Sequence, residues 1–175
     1  MKPHWLNKLS PVWRARLTKL GFNWFPAFRN TGGRIDHVAP DLSHIRVKLP
    51  HTWKTRNIVG STYGGSLFAI TDGLHPTMLM AALGKDFIVW DKAASIRYKK
   101  PGFSTLYADF HLSKDEVAEI RTALAMTPAL DRVFTVELKD REGVVHAVVE
   151  RTVYIAQKEH YKQKQAGGDA NEEIQ

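Results

Sequence analysis

The sequence predicts an α+β fold on three observations. One apolar run of helical length, from about Gly64 to Leu83, stands between two sets of strand-like segments. The strands after it alternate apolar and polar residues and are joined by short turns, the habit of antiparallel neighbours. A second, capped helix interrupts them. Helices laid on one face of an antiparallel sheet bury the apolar side of both.

In chain order, Ser10 and Pro11 supply an N-cap and a first helical position. Val12, Trp13, Leu17 and Leu20 share a face, Gly21 closes the helix, and the face is expected to pack on its own domain. "NTGG" is a turn, and "RIDHVAPDLSHIRVKLP" reads as two short strands around Pro40 and Asp41. The central helix follows, closed by Gly84. Gly73 and Pro76 interrupt it, and a kink or break is expected there, since Pro76 cannot donate to the carbonyl of Asp72. "FIVWDKAASIRYKKPG" and "FSTLYADFHL" are strand-like, on either side of a Pro101-Gly102 turn. Ser113 and Glu116 form a capping box for a helix with Val117, Ile120 and Leu124 as its apolar stripe. "RVFTVELKD" and "VVHAVVERTVYIAQ" are strands joined at "REG". The chain thus divides into a basic helical arm (1–33), a main domain (34–157) and a flexible polar tail (158–175).

Composition narrows the function classes. The 175 residues include no cysteine, which excludes a disulfide framework and a thiolate zinc site. No apolar run is long enough to cross a membrane and no signal-peptide core opens the chain, so a cytoplasmic location is expected. The net charge of +7 belongs to the arm: residues 1–35 hold Lys2, Lys8, Arg14, Arg16, Lys19, Arg29 and Arg34 and no acid. Such an arm suits anionic lipid, nucleic acid or a phosphorylated ligand. His37, His44 and His51 recur every seventh residue without a closely spaced pair, so no metal site is expected. No G-x-S-x-G surrounds Ser61 or Ser66, which disfavours a serine hydrolase.

The chemistry concentrates in "NIVGSTYGGSLFAITDGLHP". Free N–H groups at a helix start polarise a carbonyl, and glycine lets a ligand approach them. Asp72 falls seven residues after Gly65, nearly two helical turns, so the two share a face about 10 Å apart. A reacting centre needs both within about 3.5 Å. One helix cannot supply polarisation and attack at one carbon; two antiparallel helices from different chains can. The alternative is that Asp72 merely ends a helix.

These residues resemble the signature of hotdog-fold acyl-CoA thioesterases of the phenylacetyl-CoA thioesterase type: Asn, then six residues on His-Gly-Gly, then Asp seven after the second glycine. Asn57, Gly64, Gly65 and Asp72 match it. "SIRYKKPGFSTLYADFHL" resembles the family's following strands, where a basic or polar strand ends at Pro before a hairpin. The resemblance covers about residues 34 to 157 and is nearest to a bacterial branch with an extra N-terminal helix and "WDKAA" after the central helix. It implies a curved antiparallel sheet wrapped around one long helix, assembled as dimers or dimers of dimers with sites between subunits. It implies Gly65 as polariser, Asp72 as nucleophile or base, and Asn57 orienting water or the thioester. The substrate is an acyl-CoA and no cofactor or metal is required. Gly64 and Tyr63 would line the substrate, with Arg97, Lys99 and Lys100 near the coenzyme A phosphates; a solvated basic edge is the other reading of those three. Tyr63 stands where the family has histidine; it donates a hydrogen bond but lacks histidine's acid–base range. That change fits an alternative, a non-catalytic acyl-CoA or acyl-carrier binding protein. A further alternative is a membrane-surface or nucleic-acid-binding protein acting through the arm; of the two, membrane contact is the one retained and nucleic acid is not expected.

Overall fold

Alternation along each strand decides which side of the sheet is apolar. Ile45, Val47 and Leu49, then Leu106, Ala108 and Phe110, then Phe134, Val136 and Leu138 point one way and are buried. The computed structural model describes residues 10–168. In it these strands are β2 (His44–Leu49), β4 (Leu106–His111) and β5 (Ala129–Lys139) of a six-stranded sheet completed by β1 (Arg34–Val38), β3 (Phe87–Tyr98) and β6 (Val145–Gln157). Every pairing is antiparallel, in the order β1-β2-β4-β5-β6-β3.

The "REG" turn joins β5 and β6 as expected, with Gly143 at φ 83° and its N–H on the carbonyl of Asp140. The Pro101-Gly102 turn does not make a hairpin. β3 lies at the far edge beside β6, and the connection crosses the sheet to β4. The chain there is pinned: Thr62 N–H donates to Gly102 O (2.8 Å) and His146 Nδ1 to Pro101 O (3.1 Å).

The central helix is two helices, α3 (Gly64–Ala69) and α4 (Leu74–Leu83). The break comes one turn before Pro76. Gly73 takes the left-handed conformation (φ 73°) and gives its N–H to Asp91 Oδ2 (3.0 Å). Pro76 then sits in the first turn of α4, where no N–H is needed. Leu74, Met78, Leu79 and Leu83 bury α4 against the sheet. The capping box of Ser113 and Glu116 opens α5 (Lys114–Met126), which buries Ile120 and Leu124.

Two expectations at the chain ends are corrected. Helix α1 (Pro11–Trp24) runs through Gly21, and α2 (Pro26–Asn30) follows. Its apolar face does not pack: Trp13 and Leu20 are more than half exposed, while Ala15 is buried and Phe22 packs on the core. The start of the polar tail is not loose but forms α6 (Lys158–Gly168), whose Tyr161 ring meets Trp90 of β3 at 5.0 Å. The remaining tail residues lie outside the described ones.

His75, in the first turn of α4, packs on two aromatic rings. It stacks on Phe134 with ring centroids 4.1 Å apart and meets Phe110 at 5.2 Å. Burial pushes its pKa down from 6.5 to about 4. The unfolded chain therefore binds this proton more readily. Stability from a neutral His75 is present above pH 6.5 and lost as the pH falls through 4, a term of about 3 kcal/mol. Thermal melts between pH 7 and 4 are expected to show this decline, and His75→Phe is expected to flatten it.

Candidate active site

On β6 the inward positions read Ala147, Val149, Arg151, Val153, Ile155. A guanidinium is thereby driven into an apolar layer, with its side chain 4 % exposed. Such a charge is tolerated only when paired and fully hydrogen-bonded. Arg151 achieves this at the break between α3 and α4. Nε donates to Thr71 Oγ1 (3.0 Å), Nη2 to Phe68 O (3.1 Å), and Nη1 to Asp72 Oδ1 (2.7 Å). Nη1 also approaches Asp91 Oδ2 at 3.4 Å. The guanidinium carbon lies 5.0 Å from the centre of the Phe68 ring.

The two carboxylates differ. Asp72 is not buried in the apolar run; its side chain is 68 % exposed in the single chain and anchored by Arg151. Asp91, two positions after buried Val89 on β3, is 14 % exposed, and its Oδ1 has no hydrogen-bond partner among the described residues. Burial pushes the Asp91 carboxyl above the ordinary range; the Gly73 N–H and Arg151 offset part of this, and the neighbouring Asp72 adds to it. Just beyond Asp91 the β3–β6 register slips between Asp91 and Ala93. Sequence reasoning missed Arg151 and Asp91. The signal was a lone charge at an inward position of each strand.

The glycines sit at the other end of α3. Tyr63 is the N-cap. A Cβ on Gly65 would run into the Tyr63 ring, and one on Gly64 would come within 2.8 Å of Tyr98 Oη, so both glycines are lidded by tyrosines. Leu67 N–H reaches Tyr63 O, which leaves the amides of Gly64, Gly65 and Ser66 as the free first turn of α3. Lys99 and Lys100 follow Tyr98, whose hydroxyl lies over Gly64, and their backbone N–H groups bond His146 O. Arg97 instead pairs with Glu150 at 3.5 Å. Asn57 is turned into its own loop: its Nδ2 donates to Ser61 Oγ (2.8 Å) and its Oδ1 accepts from Val59 N–H (3.1 Å).

The structure thus gathers Tyr63, Gly64, Gly65 and Tyr98 at one end of α3, with Lys99 and Lys100 next in the chain after Tyr98, and puts Asp72 at the other end. The helix breaks before Asp72, so the shared-face geometry expected for Gly65 and Asp72 does not hold. Six helical residues and a turn still keep them on the order of 10 Å apart.

On the opposite face of the sheet, His44, Asp109 and His111 bring three ligand atoms within 4.8 Å of one another, a grouping invisible in the histidine spacing. Asp109 Oδ1 already accepts from His44 Nε2 (2.6 Å) and Arg46 Nε (2.8 Å). Burial raises the Asp109 pKa, but those bonds outweigh it and hold the carboxyl below its usual range. Arg46 fills the place beside the carboxylate that a cation would need, and the group reads as an ion-pair network.

Comparison with known proteins identifies the fold and the family. No curated protein matches the sequence. The structure is similar to Pseudomonas aeruginosa PA5026, a protein of unknown function called a probable thioesterase, with TM-score 0.71 and 19 % identity over 81 % of this chain and 95 % of that one. Thioesterase HI1161 of Haemophilus influenzae matches with TM-score 0.58 and 14 % identity, over 78 % and 87 %. Escherichia coli PaaI, from the phenylacetic acid degradation operon, matches with TM-score 0.54 and 16 % identity, over 82 % and 92 %. At such identities the likeness establishes the fold, which is the hotdog fold. A family model matches residues 14–155, and the chain belongs to the family described as Domain of unknown function (DUF4442).

Proposed function

We propose that the chain hydrolyses acyl thioesters, most simply acyl-CoA, at a site shared by two subunits. The observation that carries this reading is a solvent-facing carboxylate, Asp72, clamped by a buried arginine beside an unused strand edge. β3 is 12 residues long and, among the described residues, pairs with no strand but β6. Its other edge is a template for a further strand. Two such edges meeting across a two-fold axis run antiparallel. Tyr98 marks the glycine end of β3 and Asp91 the Asp72 end. Pairing two copies head to tail therefore sets the Gly64-Gly65 end of one near Asp72 of the other.

In the chemistry that follows, the Gly65 N–H polarises the thioester carbonyl. Asp72 takes a proton from water as the water oxygen attacks the carbonyl carbon, and passes that proton to the departing sulfur. In the alternative course its carboxylate attacks the carbon directly, and water then hydrolyses the resulting mixed anhydride, freeing Asp72 and supplying the proton for the thiol. The C–S bond breaks and the thiol leaves with a proton, so no metal or redox group is called for. Lys99 and Lys100, with no acid paired to them among the described residues, suit the phosphates of coenzyme A. Thioesterases sharing the fold support the reading.

Tyr63 over Gly65 favours a second reading, acyl-CoA binding without turnover. Thiol release and equilibrium binding, measured with one panel of acyl-CoA esters, separate the two. Release that saturates with ester concentration is expected. Saturable binding with no release over hours selects the second reading.

A further inference from the structure

Helix α1 turns its apolar side away from its own domain. At 100° per residue, Trp13, Leu20 and Trp24 fall within about 40° of one another and opposite Ala15. Ala15 is buried, whereas Trp13, Leu20 and Trp24 are 55 %, 53 % and 68 % exposed. This orientation is fixed. Asn23 accepts from Ile35 N–H (2.7 Å) and donates to Ile35 O (3.1 Å), and Lys19 donates to Asp36 O (2.6 Å). The helix cannot roll its tryptophans inward without breaking these bonds to β1.

The same side is cationic. Arg16 lies over the Trp13 ring at 5.3 Å. Trp24 forms one wall of a cavity of about 450 Å³ whose other walls include Arg29, Arg34 and Lys54, and among the described residues no carboxylate lines it. Arg34 Nη1 donates to Arg29 O and Gly33 O, which fixes its guanidinium in the wall. Phe25 and Trp53, the chain neighbours of Trp24 and Lys54, are 60 % and 76 % exposed.

We propose that this face is a binding site for an anionic phospholipid surface, with Trp13, Leu20 and Trp24 seated in the interfacial layer and a headgroup phosphate in the Arg29–Arg34–Lys54 cavity. Tryptophans prefer that layer, and basic residues beside it are drawn to anionic headgroups. A second copy of the chain is the poorer occupant. A two-fold contact through this face would set cation against cation, with no acid in residues 1–35 to relieve it. The assignment stands independently of the thioesterase reading.

The test is cosedimentation of the full chain with vesicles of phosphatidylcholine alone, and of phosphatidylcholine with about 30 % phosphatidylglycerol, at about 0.1 M salt. Binding to the anionic vesicles is expected to be at least about tenfold tighter, with a blue shift of tryptophan emission. Trp13→Ser with Trp24→Ser is expected to weaken it about tenfold or more, and Arg16→Gln with Arg29→Gln about twenty-fivefold, at roughly fivefold per cation. All four side chains are exposed, so the variants keep the native circular dichroism. Equal binding to neutral vesicles overturns the proposal. So does a self-associated species, seen by light scattering, that the tryptophan pair dissociates. So does binding of free coenzyme A or pyrophosphate at the cavity without any vesicle binding, which would assign it to a soluble phosphate ester.

Discussion

Replacing Arg151 by methionine is expected to cost about 3–5 kcal/mol, a large part of what a domain of this size has. The reasoning rests on what stays behind. Asp91 remains as a buried carboxylate without its cation, and Phe68 O and Thr71 Oγ1 lose a donor at the helix break. Asp72 belongs to the same guanidinium but faces water, so Asp72→Asn is expected to cost under about 1 kcal/mol. One arginine thus serves two acids, one buried and one facing water, whose losses differ in size. Urea denaturation of the two single variants measures this contrast. Adding Asp91→Asn to Arg151→Met removes the stranded charge, and the pair is expected to be more stable than Arg151→Met alone by about 1–3 kcal/mol. A cost below about 1 kcal/mol for Arg151→Met would show that the break is held by packing instead.

Arg151 also shows where sequence reading stops. Local signals were enough for most elements. The alternation of β2, β4, β5 and β6, the Ser113–Glu116 capping box and the "REG" turn each depend on residues a few positions apart, and each element formed where its signal lay. Arg151 stands 79 residues from Asp72, and nothing local joins them. Only the pairing of β3 with β6, and the helix laid across them, brings them together. The same non-local pairing sends β3 to the sheet edge rather than into a hairpin with β4. For α1 the periodicity identified an apolar side but could not say what it faces; hydrogen bonds from Asn23 and Lys19 to β1 decide that. The polar composition of α6 concealed a helix that one aromatic contact, Tyr161 on Trp90, helps to hold. At the site, the motif spacing located Gly64, Gly65 and Asp72, and Gly73 with Pro76 announced a break, but nothing local showed that α3 ends at Ala69, ahead of Asp72, or that Gly73 is tied to Asp91 on β3.

Two inactive variants are expected to regain activity when mixed. Asp72→Asn removes the proposed base and is expected to lower thiol release at least about a hundredfold. Gly65→Pro removes the proposed polarising N–H at a helix start where no intrahelical bond is lost, and its ring also turns aside the exposed Tyr63 ring that overlies Gly65; a loss of similar size is expected. In a two-fold dimer each site would take Gly65 from one subunit and Asp72 from the other. A hybrid of the two variants then has one site carrying both lesions and one carrying neither. Free exchange of equal amounts makes half of the dimers hybrids, so about a quarter of the wild-type rate returns. The reverse experiment uses a chain carrying both substitutions, mixed equally with wild type. A shared site is spoiled twice in every hybrid, and the rate falls to about a quarter of that of an all-wild-type sample; a site within one chain keeps about half. Hybrids detected by native mass spectrometry but silent in the first mixture, with half the rate in the second, would place Gly65 and Asp72 in the site of one and the same chain and end the two-subunit mechanism.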